Sequence, residues 1–258
     1  MNNTQIPFFA SPYKLSMFLE CPRKYWYYYI NEETKYKQPQ YPYFTMGEHV
    51  HNALKNFFRL NPDLRTREKL LNLLTTFWGT KCAAEGGFES VDHEEGYKKR
   101  AVKMLENFYD KEDIKAEPII WFSSSNPKVE VKPLLLFTGV FDRIDHLSSE
   151  ALHVIDYKTG KEDAVDDNNL QLPMYALMAD KIYRLPVKKV SYLNLASGNW
   201  NTKDLDGGYK LDIIAKVDGI VSKIPKNLDM GAFVCKYGNR CYHCDYLEDL
   251  GFNLDWRL

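Results

Sequence analysis

Gly139-Val-Phe-Asp142-Arg-Ile-Asp145, followed after a polar break by Val154-Ile-Asp156-Tyr157-Lys158-Thr-Gly160, is the stretch whose reading decides the fold. In both halves apolar and β-branched residues recur around isolated acids, the pattern of strands, and Ser148-Ser149-Glu150 between them is turn chemistry. The spacing predicts a hairpin. If the turn centres on Ser149 and no bulge intervenes, Asp142 and Asp156 are equidistant from it and face one another across the pair. Strand alternation then places Lys158 on the face of Asp156, so that two carboxylates and an ammonium share one patch. Facing acids repel, and a divalent cation between them is one remedy. The other reading of the same residues is a solvated strand face carrying an Asp–Lys pair.

Moving outward, Lys188-Lys-Val-Ser-Tyr-Leu-Asn-Leu195 reads as a further strand and Ser197-Gly-Asn199 as a turn, with Pro118-Ile-Ile-Trp-Phe122 and Val129-Glu-Val131 as earlier strands. A helix is expected over about 168–181, with Gln171 and Tyr175 one turn apart on one face, Met178 continuing the row, and Pro173 confined to the helix start or a kink. Another amphipathic helix fits about 209–224. The first half is helical throughout: Ser11-Pro12 starts a short helix striped by Leu15, Phe18 and Leu19, and Cys21-Pro22 restarts a second whose Tyr25-Trp-Tyr-Tyr-Tyr29 run suggests a helix wedged between other elements. Helices follow over about 44–60, 65–80 and 93–112. On the first of these Gly47, His51, Leu54 and Phe58 share a side, which turns His51 inward beside the space left by Gly47 and His49 outward to solvent. Lys98, Lys99, Arg100 and Lys103 line the polar side of the last.

The chain has 258 residues, 45% apolar and 14% aromatic, enough for a real core and far from a disordered composition. A formal charge of −1 neither requires nor excludes a nucleic-acid partner, which needs only a local basic groove. No apolar run approaches the roughly 18 residues of a membrane span, and no basic-then-apolar leader opens the sequence, so a cytoplasmic protein is expected. The five cysteines fall unevenly. Cys235, Cys241 and Cys244 crowd a Gly-bearing tail in the pattern of a chelating loop, Cys21 stands far upstream, and Cys82 reads as a packing residue.

In this order, Gly47-Glu-His-Val-His51, Gly139-Val-Phe-Asp142, Asp156-Tyr-Lys158 and Gln171-Leu-Pro-Met-Tyr175 resemble PD-(D/E)XK nucleases of the RecB type. The opening Ser11-Pro-Tyr-Lys-Leu-Ser-Met-Phe-Leu-Glu-Cys21-Pro-Arg-Lys-Tyr25 resembles the start of their iron–sulfur members, AddB-like nucleases and CRISPR-adaptation exonucleases. The resemblance implies an α/β fold, restriction-endonuclease-like, with a central mixed sheet flanked by helices, a helical N-terminal half and a cysteine-ligated tail. It implies one nuclease domain over 1–258: N-terminal helices with Cys21 and His51 to residue 60, a helical insertion over 61–116, the nuclease core over 117–225 and the cysteine-rich tail over 226–258.

For chemistry, the resemblance implies that His51, Asp142, Asp156 and the Tyr157 carbonyl hold Mg²⁺ or Mn²⁺, while Lys158 orients or activates water. Gln171 and Tyr175 would support the lysine or contact DNA, and Glu130 would face the site. Cys21, Cys235, Cys241 and Cys244 would hold a [4Fe–4S] cluster, or equally Zn²⁺. The family's usual last cysteine, about six residues after the C-x-x-C pair, is missing here and Cys235 stands in from upstream. The activity implied is a DNA exonuclease on single strands or ends, in recombination, repair or CRISPR spacer processing, with helicase or CRISPR-adaptation proteins as partners. Two readings compete with it: a catalytically idle DNA-binding scaffold, and a zinc-stapled protein whose acidic patch is structural.

Overall fold

Two β-sheets carry the long-range pairing of the chain, one of three strands and one of five. The structure is a computed structural model, and it describes residues 6–35, 40–117, 120–121, 126–160 and 169–238. The chain divides into two compact units, one formed by 1–38, 130–137 and 208–258 and the other by 39–129 and 138–207.

The first unit holds the short strand β1 (Phe8–Ala10), which pairs in parallel with β4 (Leu135–Thr138), and β4 in turn neighbours β3 (Lys128–Lys132). Ser11 caps α1 (Pro12–Glu20) by accepting from the Lys14 amide, and proline at the first helical position fits where no amide partner exists. Cys21 then breaks the chain into α2 (Pro22–Tyr29), as expected. Leu15 and Phe18 are buried, but Met17 takes the place expected of Leu19, which is 42% exposed. The aromatic run of α2 is packed, as predicted. Tyr25 stacks on Phe233 and meets Phe18 edge-on, Arg23 donates to the Phe233 carbonyl, and the Trp26 indole donates to the Leu228 carbonyl. The segment from Leu228 to Phe233 is thereby fastened to α2. Helix α7 (Tyr209–Val221) packs beside α1.

The second unit is built on the mixed sheet β2 (Ile120–Trp121), β5 (Arg143–Ser148), β6 (Ala151–Lys158), β7 (Val187–Asn194) and β8 (Trp200–Asp204), in that order. Every neighbouring pair is antiparallel except β6 and β7. One sheet face is covered by α3 (Pro42–Phe57), α4 (Arg67–Trp78) and α5 (Val91–Lys111), whose Leu54, Phe57, Leu70, Leu74, Leu105 and Phe108 form a core with Ile155, Tyr157, Leu193 and Leu195. Burying side chains of this size contributes about 1.5–3 kcal/mol each. The other side receives α6 (Gln171–Tyr183), which packs against β6 and β7 and is buried nearly all round. Pro173 sits in its first turn, where a missing amide costs nothing.

The expected strand through Gly139-Val-Phe-Asp142 is not one: β4 stops at Thr138, β5 starts at Arg143, and Asp142 lies in the break. Strands β1 and β8, unread in the sequence, complete the edges of the two sheets. Cys82 is exposed rather than packed. His49 is buried rather than solvent-facing, its Nε2 2.9 Å from the Lys81 carbonyl and its ring against Trp78. Among the described residues no helix is long and apolar enough to cross a membrane.

Candidate active site

Two departures from a simple hairpin cancel to give the expected pairing. The loop is Ser149-Glu150, half a residue later than a turn centred on Ser149, and β5 carries an irregularity between His146 and Ser148. Beyond that bulge the register runs His146↔Leu152 to Arg143↔Ile155, where the pairing ends, and Asp142 in the break accepts the backbone amide of Tyr157, the residue after Asp156. Asp142 is 7% and Asp156 5% exposed, a depth at which neither carboxylate survives without partners.

Each has them. Asp142 Oδ1 lies 3.1 Å from His51 Nδ1, and its Oδ2 accepts the Tyr157 backbone amide at 2.8 Å. Asp156 Oδ1 accepts from Gln171 Nε2 at 2.8 Å, and its Oδ2 lies 3.0 Å from Lys158 Nζ. Lys158 Nζ also donates to Gln171 Oε1 at 2.7 Å, so one amide bridges acid and ammonium. Tyr175 follows one turn on in α6, its ring edge-on to Phe141 and the pKa of its hydroxyl raised by burial. His51, Asp142, Asp156, Tyr157, Lys158, Gln171 and Tyr175 all line one cavity of about 390 Å³.

The electrostatics follow from this crowding. Burial pushes the Asp156 pKa up, and the Asp142 charge adds to it against the pull of Lys158. Burial alone would lower the His51 pKa, but the charge and hydrogen bond of Asp142 outweigh it and raise it.

Several residues went unread in the sequence. Tyr192 of β7 stands opposite Asp156 in the parallel register, places its ring 4.4 Å from Lys158 Nζ and donates to Gln171 Oε1 at 3.3 Å. Its only signal is a tyrosine at the right phase of a strand whose register is set from outside. Asn169 Oδ1 accepts the Gln171 amide at 2.8 Å and so starts α6 where Gln171 can reach the site. The space beside Gly47 is not empty: a Cβ there would lie 3.0 Å from Thr159 Oγ1. Glu130 is exposed on β3. Lys158 also lines a second cavity of about 610 Å³, together with Tyr192, Asn194 and Asn201.

The residues expected to hold a metal line one cavity but do not form a finished cage. Among the described residues no three His, Cys, Asp or Glu side chains form a group able to hold a metal ion. His51 and Asp142 are in contact, whereas Asp156 is held by Gln171 and Lys158. Tyr157 meets Asp142 through its amide. The donor chemistry, two carboxylates and an imidazole on one cavity, fits a hard divalent cation better than a soft one.

Of the expected thiolates, Cys21 and Cys235 are both buried, with sulfurs 3.7 Å apart across 214 residues of sequence. Cys241 and Cys244 lie outside the described residues.

The family model of the PD-(D/E)XK nuclease superfamily matches residues 10–248. The chain belongs to this superfamily, whose members are generally nucleases that use divalent metals such as Mg²⁺. No match emerged among curated proteins.

Proposed function

We propose that this chain is a Mg²⁺- or Mn²⁺-dependent deoxyribonuclease, acting as an exonuclease on single-stranded DNA or DNA ends. The observation that carries the reading is the convergence on one cavity of His51, Asp142, Asp156 and Lys158, from a helix, a strand break and a strand. A scaffold that only bound DNA would have no use for two buried, mutually repelling carboxylates. His51, Asp142, Asp156 and the Tyr157 backbone would hold the cation. Bound there, it would supply charge neutralisation at the scissile phosphate and a lowered pKa for water.

The chain's own groups do the rest. Lys158, fixed by Asp156, Gln171 and the Tyr192 ring, presents its ammonium at a set point where it orients the attacking water. Gln171 keeps the ammonium and the Asp156 carboxylate in register by bonding both. Tyr175, one turn from Gln171, lines the same cavity. The test is cleavage of end-labelled single- and double-stranded DNA with Mg²⁺, Mn²⁺ or chelator. Metal-dependent shortening from an end supports the reading; no cleavage under any condition moves the protein to the scaffold class.

The iron–sulfur resemblance belongs to the same proposal, with recombination, repair or CRISPR spacer processing as its setting and a RecB- or AddB-type relationship behind it. Cys21 and Cys235 supply two thiols of a four-thiolate site that Cys241 and Cys244 would complete. A structural Zn²⁺ is the second reading, and a specific observation favours it. Two thiolates on one tetrahedral ion with Zn–S of about 2.3 Å stand about 3.8 Å apart, against 3.7 Å between Cys21 and Cys235. Iron, zinc and acid-labile sulfide content, with the visible absorbance, separates the two.

A further inference from the structure

Three aromatic rings gather at the start of α3, Tyr41 at its N-cap and Tyr43 and Phe44 in its first turn. The buried side of this helix is made by Met46, Val50, Ala53, Leu54 and Phe57, whereas Tyr43 is 49% and Phe44 53% exposed. Tyr41 stacks on Tyr43 at 5.3 Å and 17°, and Tyr43 meets Phe44 at 4.5 Å, so the rings brace one another into a fixed ledge. Tyr43 and Phe44 line the same cavity as Asp142, Asp156 and Lys158.

We propose that Tyr43 and Phe44 form a stacking shelf for a base of an unpaired DNA strand whose phosphate lies at the carboxylates, and that this shelf sets a preference for single strands. The inference rests on the nuclease reading. Three considerations favour a base as the occupant. Among the described residues the charged lining of the cavity is Glu48, His51, Asp142, Asp156 and Lys158, so the ring faces, and not an excess of cations, are what this lining offers a nucleotide. Ring faces attract every base irrespective of sequence, which suits an enzyme that digests DNA without choosing sites. Bases inside a duplex are already stacked on their neighbours and offer no free face, whereas an unpaired base offers one to a cavity of about 390 Å³ that is large enough for a nucleotide. His51, two turns along the same helix, would then tie the position of the base to that of the scissile phosphate.

The test compares wild type with the Tyr43→Ala/Phe44→Ala and Tyr43→Trp/Phe44→Trp pairs. Both sites are half exposed, and thermal melting verifies that the fold is kept. The probes are a short fluorescein-labelled oligothymidylate, the same strand with abasic sites in place of its thymidines, and a labelled duplex, all titrated by anisotropy in chelator. The alanine pair is expected to weaken single-strand binding about tenfold or more, the effect of losing base stacking, and to raise KM for single strands alike. Binding of the duplex and of the abasic strand stays unchanged, and the tryptophan pair restores binding. Single-strand affinity unchanged by the alanine pair, equal loss for both DNA forms, or no DNA binding by wild type overturns the shelf. If no divalent cation elicits cleavage while the alanine effect persists, the nuclease reading fails and the shelf stands. If cleavage is present and the alanine pair binds as wild type does, only the shelf fails.

Discussion

His51 Nδ1 lies 3.1 Å from Asp142 Oδ1, although 91 residues separate the two in sequence. The contact joins α3 to the break between β4 and β5, and it turns a helical histidine from a core residue into the wall of a cavity. Asp142 holds the strand side in place by accepting the Tyr157 amide as well. One carboxylate thus sets the distance between the helix layer and the sheet at the point where the chemistry is proposed.

Gln171 bonds both Asp156 and Lys158. Replacing it by alanine frees the ammonium and leaves a buried carboxylate oxygen unpaired. We expect Gln171→Ala to lower kcat about 10–100-fold, the range for residues that orient the groups around a metal. Steady-state kinetics on a single-stranded oligonucleotide checks this.

At Gly139 a Cβ would lie 2.3 Å from Tyr175 Cε1, inside a rigid ring. Gly139→Ala should therefore displace Tyr175 and cost about 1–3 kcal/mol, the range for overpacking a filled site. Adding Tyr175→Leu should return part of that stability, because the two residues are coupled. Urea unfolding of the two single variants and the double variant measures the coupling.

Arg143 is 8% exposed and bridges Asp145, at 2.7 Å from Nη2, and Glu112, at 3.4 Å from Nη1. Arg143→Met leaves two acids facing each other without a cation, and burial already holds the Glu112 pKa above its usual range. A loss of about 3–5 kcal/mol is expected, with much of it recovered by adding Glu112→Gln. Chemical denaturation at neutral pH reads both.

Burial lowers the His153 pKa to about 4, and its Nε2 sits 2.8 Å from Ser191 Oγ. The folded protein keeps this ring neutral, while the unfolded chain protonates it below the ordinary histidine value near 6.5. The stability it contributes is present above about 6.5 and is lost as pH falls toward 4. The melting temperature of wild type should drop over that window more steeply than that of His153→Gln.

Local chemistry was legible in the sequence, and long-range placement less so. Ser11-Pro12, Cys21-Pro22 and the Ala101, Met104, Leu105, Phe108 row declared their helices because caps and 3.6-residue spacing are local signals. The register of β5 against β6 was also legible, though its premise was wrong: the turn is half a residue late and the bulge restores the count. His49 escaped because its burial depends on the Lys81 carbonyl and on Trp78, which is 29 residues further along. Tyr192 escaped because a parallel register between β6 and β7 is fixed by the intervening α6 crossover and not by either strand. Gly47 was misread as leaving room, when it admits the chain at Thr159.

The central claim, that His51, Asp142 and Asp156 serve one divalent cation, is tested most directly by calorimetric titration of Mn²⁺ into wild type and into His51→Ala, Asp142→Asn and Asp156→Asn. Each substitution is expected to weaken the same binding event by about tenfold or more, at least as much as the loss of a supporting residue would, with the folded state retained. Wild-type affinity in Asp156→Asn alongside a loss in Asp142→Asn would contradict it, since the two carboxylates would then not share an ion.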